Sequence, residues 1–188
     1  MACDVKTIFQ KLIANFHRNA FKHFGNGTKL NPTASIHKKS LISIGENSFI
    51  GKWCHISVVE PAYLKIGNYV GISPYTKILA GDRKLDVVGK YFMTIAEPIN
   101  LPVIIEDDTM IGMESMILKG VTIGEGAVIG ARSLVVKNIL PYSIAVGMPA
   151  RMVKLRFKWE DIPRHMDAIH SQYDIHRLKD EYKMAGLI

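Results

Sequence analysis

From Ile105 onward an aliphatic residue stands at every sixth position: Ile105, Ile111, Ile117, Ile123, Ile129 and Val135. The same rhythm runs earlier through Ile44, Ile50 and Ile56 and through Ile66, Ile72 and Ile78, with Leu30, Ile36 and Ile42 as an opening coil. Glycine follows the aliphatic at Gly45, Gly51, Gly67, Gly112, Gly124 and Gly130. Four places after the aliphatic stand small or β-branched residues: Ser48, Cys54, Val70, Thr76, Thr109, Ser115, Val121, Ala127 and Ser133. Six is a poor multiple of 3.6, so this stripe would drift around an α-helix, and a period-2 strand does not need it. A triangular coil does: three flat sides, each turning one aliphatic inward and bending beside a glycine. The pattern predicts an all-β solenoid, a left-handed parallel β-helix of hexapeptide repeats, over residues 28–155.

Two interruptions break the rhythm. Ile56 and Ile66 are ten apart, so four extra residues within Val59–Tyr63 bulge from a corner. Ile78 and Ile105 are twenty-seven apart, which takes residues 81–102 out of the coil. An insertion of that length in a solenoid is usually functional or disordered. Its Tyr91, Phe92, Met93, Ile95 and Ile99 suit an ordered arm or a lid. Before the coil, residues 1–27 form a cap, in which 4–24 carry Val5, Ile8, Phe9, Leu12, Ile13 and Phe16 at helical spacing. Lys6, Lys11, Arg18 and Lys22 lie opposite. This helix either covers the open end of the coil or touches a membrane surface. After it, residues 156–188 form a helical tail whose His165, His170 and His176 read as surface residues, since metal-binding helical histidines usually sit four apart.

Composition narrows the picture. The 188 residues fit about one domain, 48% are hydrophobic, and no apolar run is long enough to span a membrane. Cys3 and Cys54 are too few for a disulfide framework, no metal site is expected, and no signal peptide is read, so the expected location is cytoplasmic. The net charge of +7 points either to an anionic partner or to plain solubility, and the cations cluster in the first forty residues and after Arg151. No helix-turn-helix, finger or aromatic-basic platform points to nucleic acid.

The run IEDDTMIGMESMILKGVTIGEGAVIGARSLVVKNILPYSIAVGMPARMVK, residues 105–154, closely resembles the hexapeptide-repeat acyltransferases. GMPARMVKLRF, followed by an acidic-aromatic helix, is most similar to their polysaccharide O-acetyltransferase and xenobiotic acetyltransferase branches. The resemblance implies acetyl-CoA as co-substrate, a homotrimer and a small acceptor, a sugar or an antibiotic. It implies coenzyme contacts at Met113, Ala131, Val136, Lys137, Arg151 and Lys154, of which the three cations suit phosphates. The flat side of the coil is expected to offer backbone N–H and C=O groups to the pantetheine amides. At Met110 an aromatic of the family is replaced by another apolar residue, with no expected change of function.

In this family a loop histidine removes the proton of the attacking hydroxyl. The matching stretch here is Gly81-Asp82-Arg83. Arginine stays protonated and cannot be a base, and losing a general base typically costs about 10²–10⁴ in rate. Three readings follow. Another residue is the base, His55 first, with Glu60 in the bulge as a further acceptor-side residue. Or Arg83 binds an anionic acceptor, Asp82 and Asp86 either orienting it or a base or merely neutralising the loop. Or the chain binds ligands without acylating them.

Overall fold

A computed structural model describes residues 18–95, 98, 99 and 101–188. Its body is a three-sided coil. Fifteen short strands, β1 (His23–Phe24) to β15 (Leu134–Val135), fall in strict rotation onto three parallel sheets. Sheet A takes β1, β4 (Ile42–Ile44), β7 (Leu64–Ile66), β10 (Val103–Ile105) and β13 (Thr122–Ile123). Sheet B takes β2 (Lys29–Leu30), β5 (Phe49–Ile50), β8 (Gly71–Ile72), β11 (Met110–Ile111) and β14 (Val128–Ile129). Sheet C takes β3 (Ser35–Ile36), β6 (His55–Val58), β9 (Lys77–Ala80), β12 (Met116–Leu118) and β15. An antiparallel hairpin, β16 (Ser143–Gly147) and β17 (Ala150–Leu155), ends sheet B.

The register stacks each aliphatic on its counterpart one coil away. Ile56, Ile78, Ile117 and Val135 form one column in sheet C, Ile50, Ile72, Ile111 and Ile129 another in sheet B, all with at most 1% exposure. Burying each such side chain contributes about 1.5–3 kcal/mol. The coils stack too closely for a β-carbon at some corners: one added to Gly112 would lie 2.4 Å from the Ala131 nitrogen. The small residues at the corners are buried, and their hydroxyls bridge coils. Ser48 Oγ donates to the Gly67 carbonyl at 2.8 Å and Ser115 Oγ to that of Gly130 at 3.0 Å. That explains Ser and Thr there, since a buried corner carbonyl without a partner is costly.

The ladder starts earlier than residue 28. Phe21 is buried, ring to ring with Phe24 at 5.2 Å, and β1 pairs with Ser43–Ile44, so the predicted helix over 4–24 has ended by then. Most of that helix lies outside the described residues. After the hairpin come α1 (Ile162–Ile169), with Pro163 in its first turn, and α2 (Ile175–Met184), whose Asp174 cap accepts from the His176 and Arg177 amides. Ile162, Met166, Leu178 and Tyr182 pack them on Tyr142 and Leu155. His165 is half-buried rather than a plain surface residue. Its ring lies 4.5 Å from that of Phe157, and Nε2 is buried, 3.5 Å from Asp108 Oδ2. Its place one residue before Met166 puts it at the edge of the helix face that docks. Among the described residues no helix is long and apolar enough to cross a membrane, and no group of three or more His, Cys, Asp or Glu could hold a metal.

Candidate functional site

Sheet C and its two corners hold nearly every residue singled out by the sequence. The chain leaves β9 at Ala80, and Gly81, Asp82 and Arg83 open the excursion that returns at Val103. An antiparallel bridge between Arg83 and Pro98, with the Ile99 amide donating to the Asp82 carbonyl at 3.0 Å, ties the base of the loop together. Ile95 is buried, while Leu85, Tyr91, Phe92 and Met93 project outward. Between loop and coil lies an open cleft walled by Val59, Gly81, Asp82, Arg83, Phe92 and Met93.

The cleft is apolar with two charges. Asp82 Oδ2 accepts from Lys119 Nζ at 2.6 Å, and Oδ1 accepts the Arg83 amide at 2.8 Å. These donors, Lys119 foremost, hold the Asp82 carboxyl below the ordinary carboxylate range. Arg83 is exposed, its Nη1 3.8 Å from Met93 Sδ. Lys119 was not foreseen. Leu118 pairs with Leu79, which sets Lys119 beside Ala80 one coil on, but the insertion hides that register from a hexad count.

The other acceptor-side candidates lie apart from this cleft. His55 faces outward from β6, in register with Ser35 and Lys77, its ring 5.3 Å from that of His37. It sits toward the start of the strand whose end leads to Val59, so the structure does not join it to Arg83. His37 was also unforeseen, and its Nε2 lies 3.2 Å from Ser35 Oγ. Glu60 follows Val59 and lies 3.9 Å from Lys38 of the preceding coil. Asp86 is exposed on the loop and does not line the cleft.

The coenzyme candidates divide between the two edges of sheet C. Val136 and Lys137 leave β15 at the corner between sheets C and A, the one that carries Lys119 and the Gly81–Arg83 turn. Met113 and Ala131 turn the opposite corner, from B into C, in successive coils: the Arg132 amide donates to the Met113 carbonyl at 2.8 Å. Arg151 pairs with Val146, which packs over Gly130 beside Ala131. Lys154 stands further along β17 opposite Ile144. The strand amides of sheet C already bond the neighbouring coil, as Lys77 does to Ser115 at 2.9 Å and Met116 to Ser133 at 2.8 Å. The flat side therefore does not offer them to a ligand, contrary to expectation; its long outward side chains and the corner groups remain.

Comparison with known proteins agrees with this architecture. The pattern for bacterial transferase hexapeptide (six repeats) matches residues 102–137, and that for the hexapeptide repeat of succinyl-transferase matches 41–59. A hexapeptide-repeat-containing acetyltransferase from Vibrio cholerae is 30% identical and superposes with a TM-score of 0.70 over 77% of this chain and 80% of its own. The complex of that protein with acetyl-CoA gives 0.71 over 78% and 77%, at 29% identity. A chloramphenicol acetyltransferase from Morganella morganii is 44% identical over 75 residues, 40% of this chain and 36% of the relative. A maltose O-acetyltransferase from Clostridium difficile, 26% identical, gives a TM-score of 0.67 over 81% of this chain and 76% of its own. The chain spans only 36% to 52% of the first curated relatives it matches.

Proposed function

This chain belongs to the hexapeptide-repeat acetyltransferases, and from that premise we propose that it transfers an acetyl group from acetyl-CoA to a sugar hydroxyl, in surface polysaccharide synthesis within the cytoplasm. The observation that carries the reading is the shared corner between sheets C and A. There the cleft walled by Asp82 and Arg83 opens at the corner that Lys119, paired with Asp82, and, one coil further, Val136 and Lys137 also turn.

Acetyl-CoA supplies the activated acyl group, and the residues present fit it. Lys137, Arg151 and Lys154 are exposed cations suited to its phosphates. Met113, Ala131 and Arg151 stand across sheet C from Val136 and Lys137, so one extended molecule cannot follow both corners of a single coil. A homotrimer of left-handed coils resolves this: each groove then lies between one protomer's C–A corner and its neighbour's B–C corner. In the transfer, the acceptor oxygen attacks the thioester carbonyl. A carbon–oxygen bond forms, the carbon–sulfur bond breaks, and the proton passes through a base to the departing thiolate. Corner amide N–H groups meet the transient oxyanion.

Arg83 cannot be that base, and Asp82, held ionised by Lys119, is a weak one. His55, backed by His37, is the remaining imidazole of sheet C; the partner protomer would have to bring it to the groove. Arg83 is then available to bind a carboxylated or phosphorylated acceptor, while Asp86 and Glu60 lie outside the cleft lining and would reach an acceptor only if it extends beyond it. A second reading, acetylation of an antibiotic, is favoured by the chloramphenicol acetyltransferase relatives and by the Phe92 and Met93 walls of the cleft. A binding protein without turnover is favoured by the lack of a histidine in the described lining of that cleft.

Thiol release from acetyl-CoA, followed with sugars, nucleotide-sugars, chloramphenicol and a macrolide, tests all three. Turnover with a sugar, lost in His55→Ala while coenzyme affinity stays, is the expected result. An unchanged rate in His55→Ala removes His55 as base. No turnover with any acceptor, and none gained by Arg83→His, removes the enzyme reading.

A further inference from the structure

We propose that the cleft between the last turn of the coil and helix α2 is a second ligand site, which takes the ring of a neutral saccharide. It lies beyond β15, where Ile139 pairs with Ile123 and carries sheet A one step further. The Ile139 amide donates to the Thr122 carbonyl at 3.0 Å, and the Gly124 amide donates to that of Ile139 at 2.9 Å. The link from α1 to α2 crosses this surface, tied down by Tyr173 Oη on Glu106 and by the buried Leu178. Between them lies an open cleft of roughly 520 Å³, within the range of about 300–1,000 Å³ usual for small-molecule sites. It shares no lining residue with the cleft at Asp82 and Arg83.

Five of the polar side chains that line it are each pinned at one end. Asn138 Oδ1 accepts from the Thr122 amide at 2.8 Å, and Gln172 Nε2 donates to the His170 carbonyl at 2.9 Å. Asp174 Oδ1 accepts from the His176 and Arg177 amides at 2.8 and 3.3 Å, and Arg177 Nε donates to Glu181 Oε1 at 3.0 Å. Asp174, Arg177 and Glu181 are spaced so that they share one face of α2. The other ends have no hydrogen-bond partner among the described residues: Asn138 Nδ2, Gln172 Oε1, Asp174 Oδ2, Glu181 Oε2 and the Arg177 Nη groups. Pinning one end limits where the other can point, so little rotamer freedom is left to lose on binding.

That set of groups selects its ligand. The open ends are donors on Asn138 and Arg177 and acceptors on Gln172, Asp174 and Glu181. A hydroxyl both donates and accepts, so neighbouring ring hydroxyls can meet both kinds. A phosphate brings acceptor oxygens and would face three more, two of them carboxylates. An ammonium group only donates and would leave Asn138 and Arg177 unmet. The His176 and Arg177 amides hold the Asp174 carboxyl below the ordinary carboxylate range, so it stays an acceptor at neutral pH. Leu140 and Pro141 add an apolar wall for the C–H face of a ring. The site lies two coils from Arg83, and a sugar held there is bound without reacting. The inference rests on how the tail packs against the coil and is independent of the acetyl-transfer reading.

Titration of the isotope-labelled full chain with maltose, lactose and cellobiose, read from the side-chain amide signals of Asn138 and Gln172 in NMR spectra, tests this. We expect at least one disaccharide to shift both signals saturably at millimolar concentration, and saturating coenzyme A to leave that binding unchanged. Gln172→Ala removes an acceptor from an exposed side chain and should weaken binding about three- to tenfold. Asn138→Asp keeps the oxygen that accepts from Thr122 but loses the donor, and should weaken it at least about tenfold. Each variant is followed through the signal it keeps, and circular dichroism establishes that both fold. The proposal would be overturned by silence with all three sugars, by shifts confined to the Asp82–Arg83 cleft, or by displacement with coenzyme A. Tighter binding of inorganic phosphate or spermidine at the same signals, or undiminished sugar binding in either variant, would overturn it equally.

Discussion

Asp82 keeps its negative charge because Lys119 and the Arg83 amide both favour the ionised form. Its lowered pKa means that the ion pair is fully made above the ordinary carboxylate range and is lost as pH falls through the lowered value. Lys119→Ala should therefore raise the Asp82 pKa toward its ordinary value, read from the carboxyl carbon in an NMR titration. No movement would mean that Lys119 does not hold Asp82 in solution. Gly112 makes a different residue-scale demand. Its φ is not in the left-handed region, so the restriction is space: a β-carbon would meet the backbone of the next coil at 2.4 Å. Gly112→Ala should cost about 1–3 kcal/mol, the usual range for overpacking, seen as a lower midpoint in chemical denaturation. The sequence marked this glycine by its place after Ile111, and the structure supplies the reason as contact, not turn conformation.

At the scale of elements, the C-terminal helices are fastened to the coil by polar pairs that cross from one to the other. Tyr173 Oη bonds Glu106, Tyr142 Oη bonds Glu125 and Ser171, and Tyr182 Oη donates to the Pro141 carbonyl at 2.7 Å. Arg156 Nη1 reaches Asp108 at 2.6 Å and the Gly126 carbonyl at 3.1 Å. Burial comes first among the causes that push all three phenols above their ordinary value of about 10. A raised pKa stabilises the docked form fully below the unfolded value, and that contribution is lost as pH rises through the folded one. The tail should accordingly loosen above about pH 10. Tyrosinate absorbance and helical dichroism would change together there; titration of all three phenols at their ordinary value without loss of helix would contradict this. The helical tail was expected from the sequence, but its docking was not. It joins Glu106 to Tyr173 and Asp108 to His165 across more than fifty residues, and no periodicity encodes such pairs.

At the scale of the whole molecule, the same distinction separates fold from site. Each coil repeats the same inward aliphatic, so the three-sheet rotation follows from a local rule applied many times. The site depends on what departs from that rule: the insertion after Ala80, the shift it imposes on the register of Lys119, and the corner that each coenzyme candidate turns. The repeat also predicts how the molecule opens. Among the described residues a coil in the middle is held by two neighbours and the first coil by one, so opening the first breaks a single described interface. Ile44, Ile50 and Ile56 in the second coil are fully covered, whereas Phe24, Leu30 and Ile36 in the first are covered only in part. The other end is not comparably open, because the β16–β17 hairpin and both helices cover it. Amide hydrogen exchange should therefore be asymmetric: β1–β3 exchanging at least about tenfold faster than β7–β9, and β13–β15 protected like the middle. Equal protection in the first and central coils would show that the N-terminal end is held by more than the second coil.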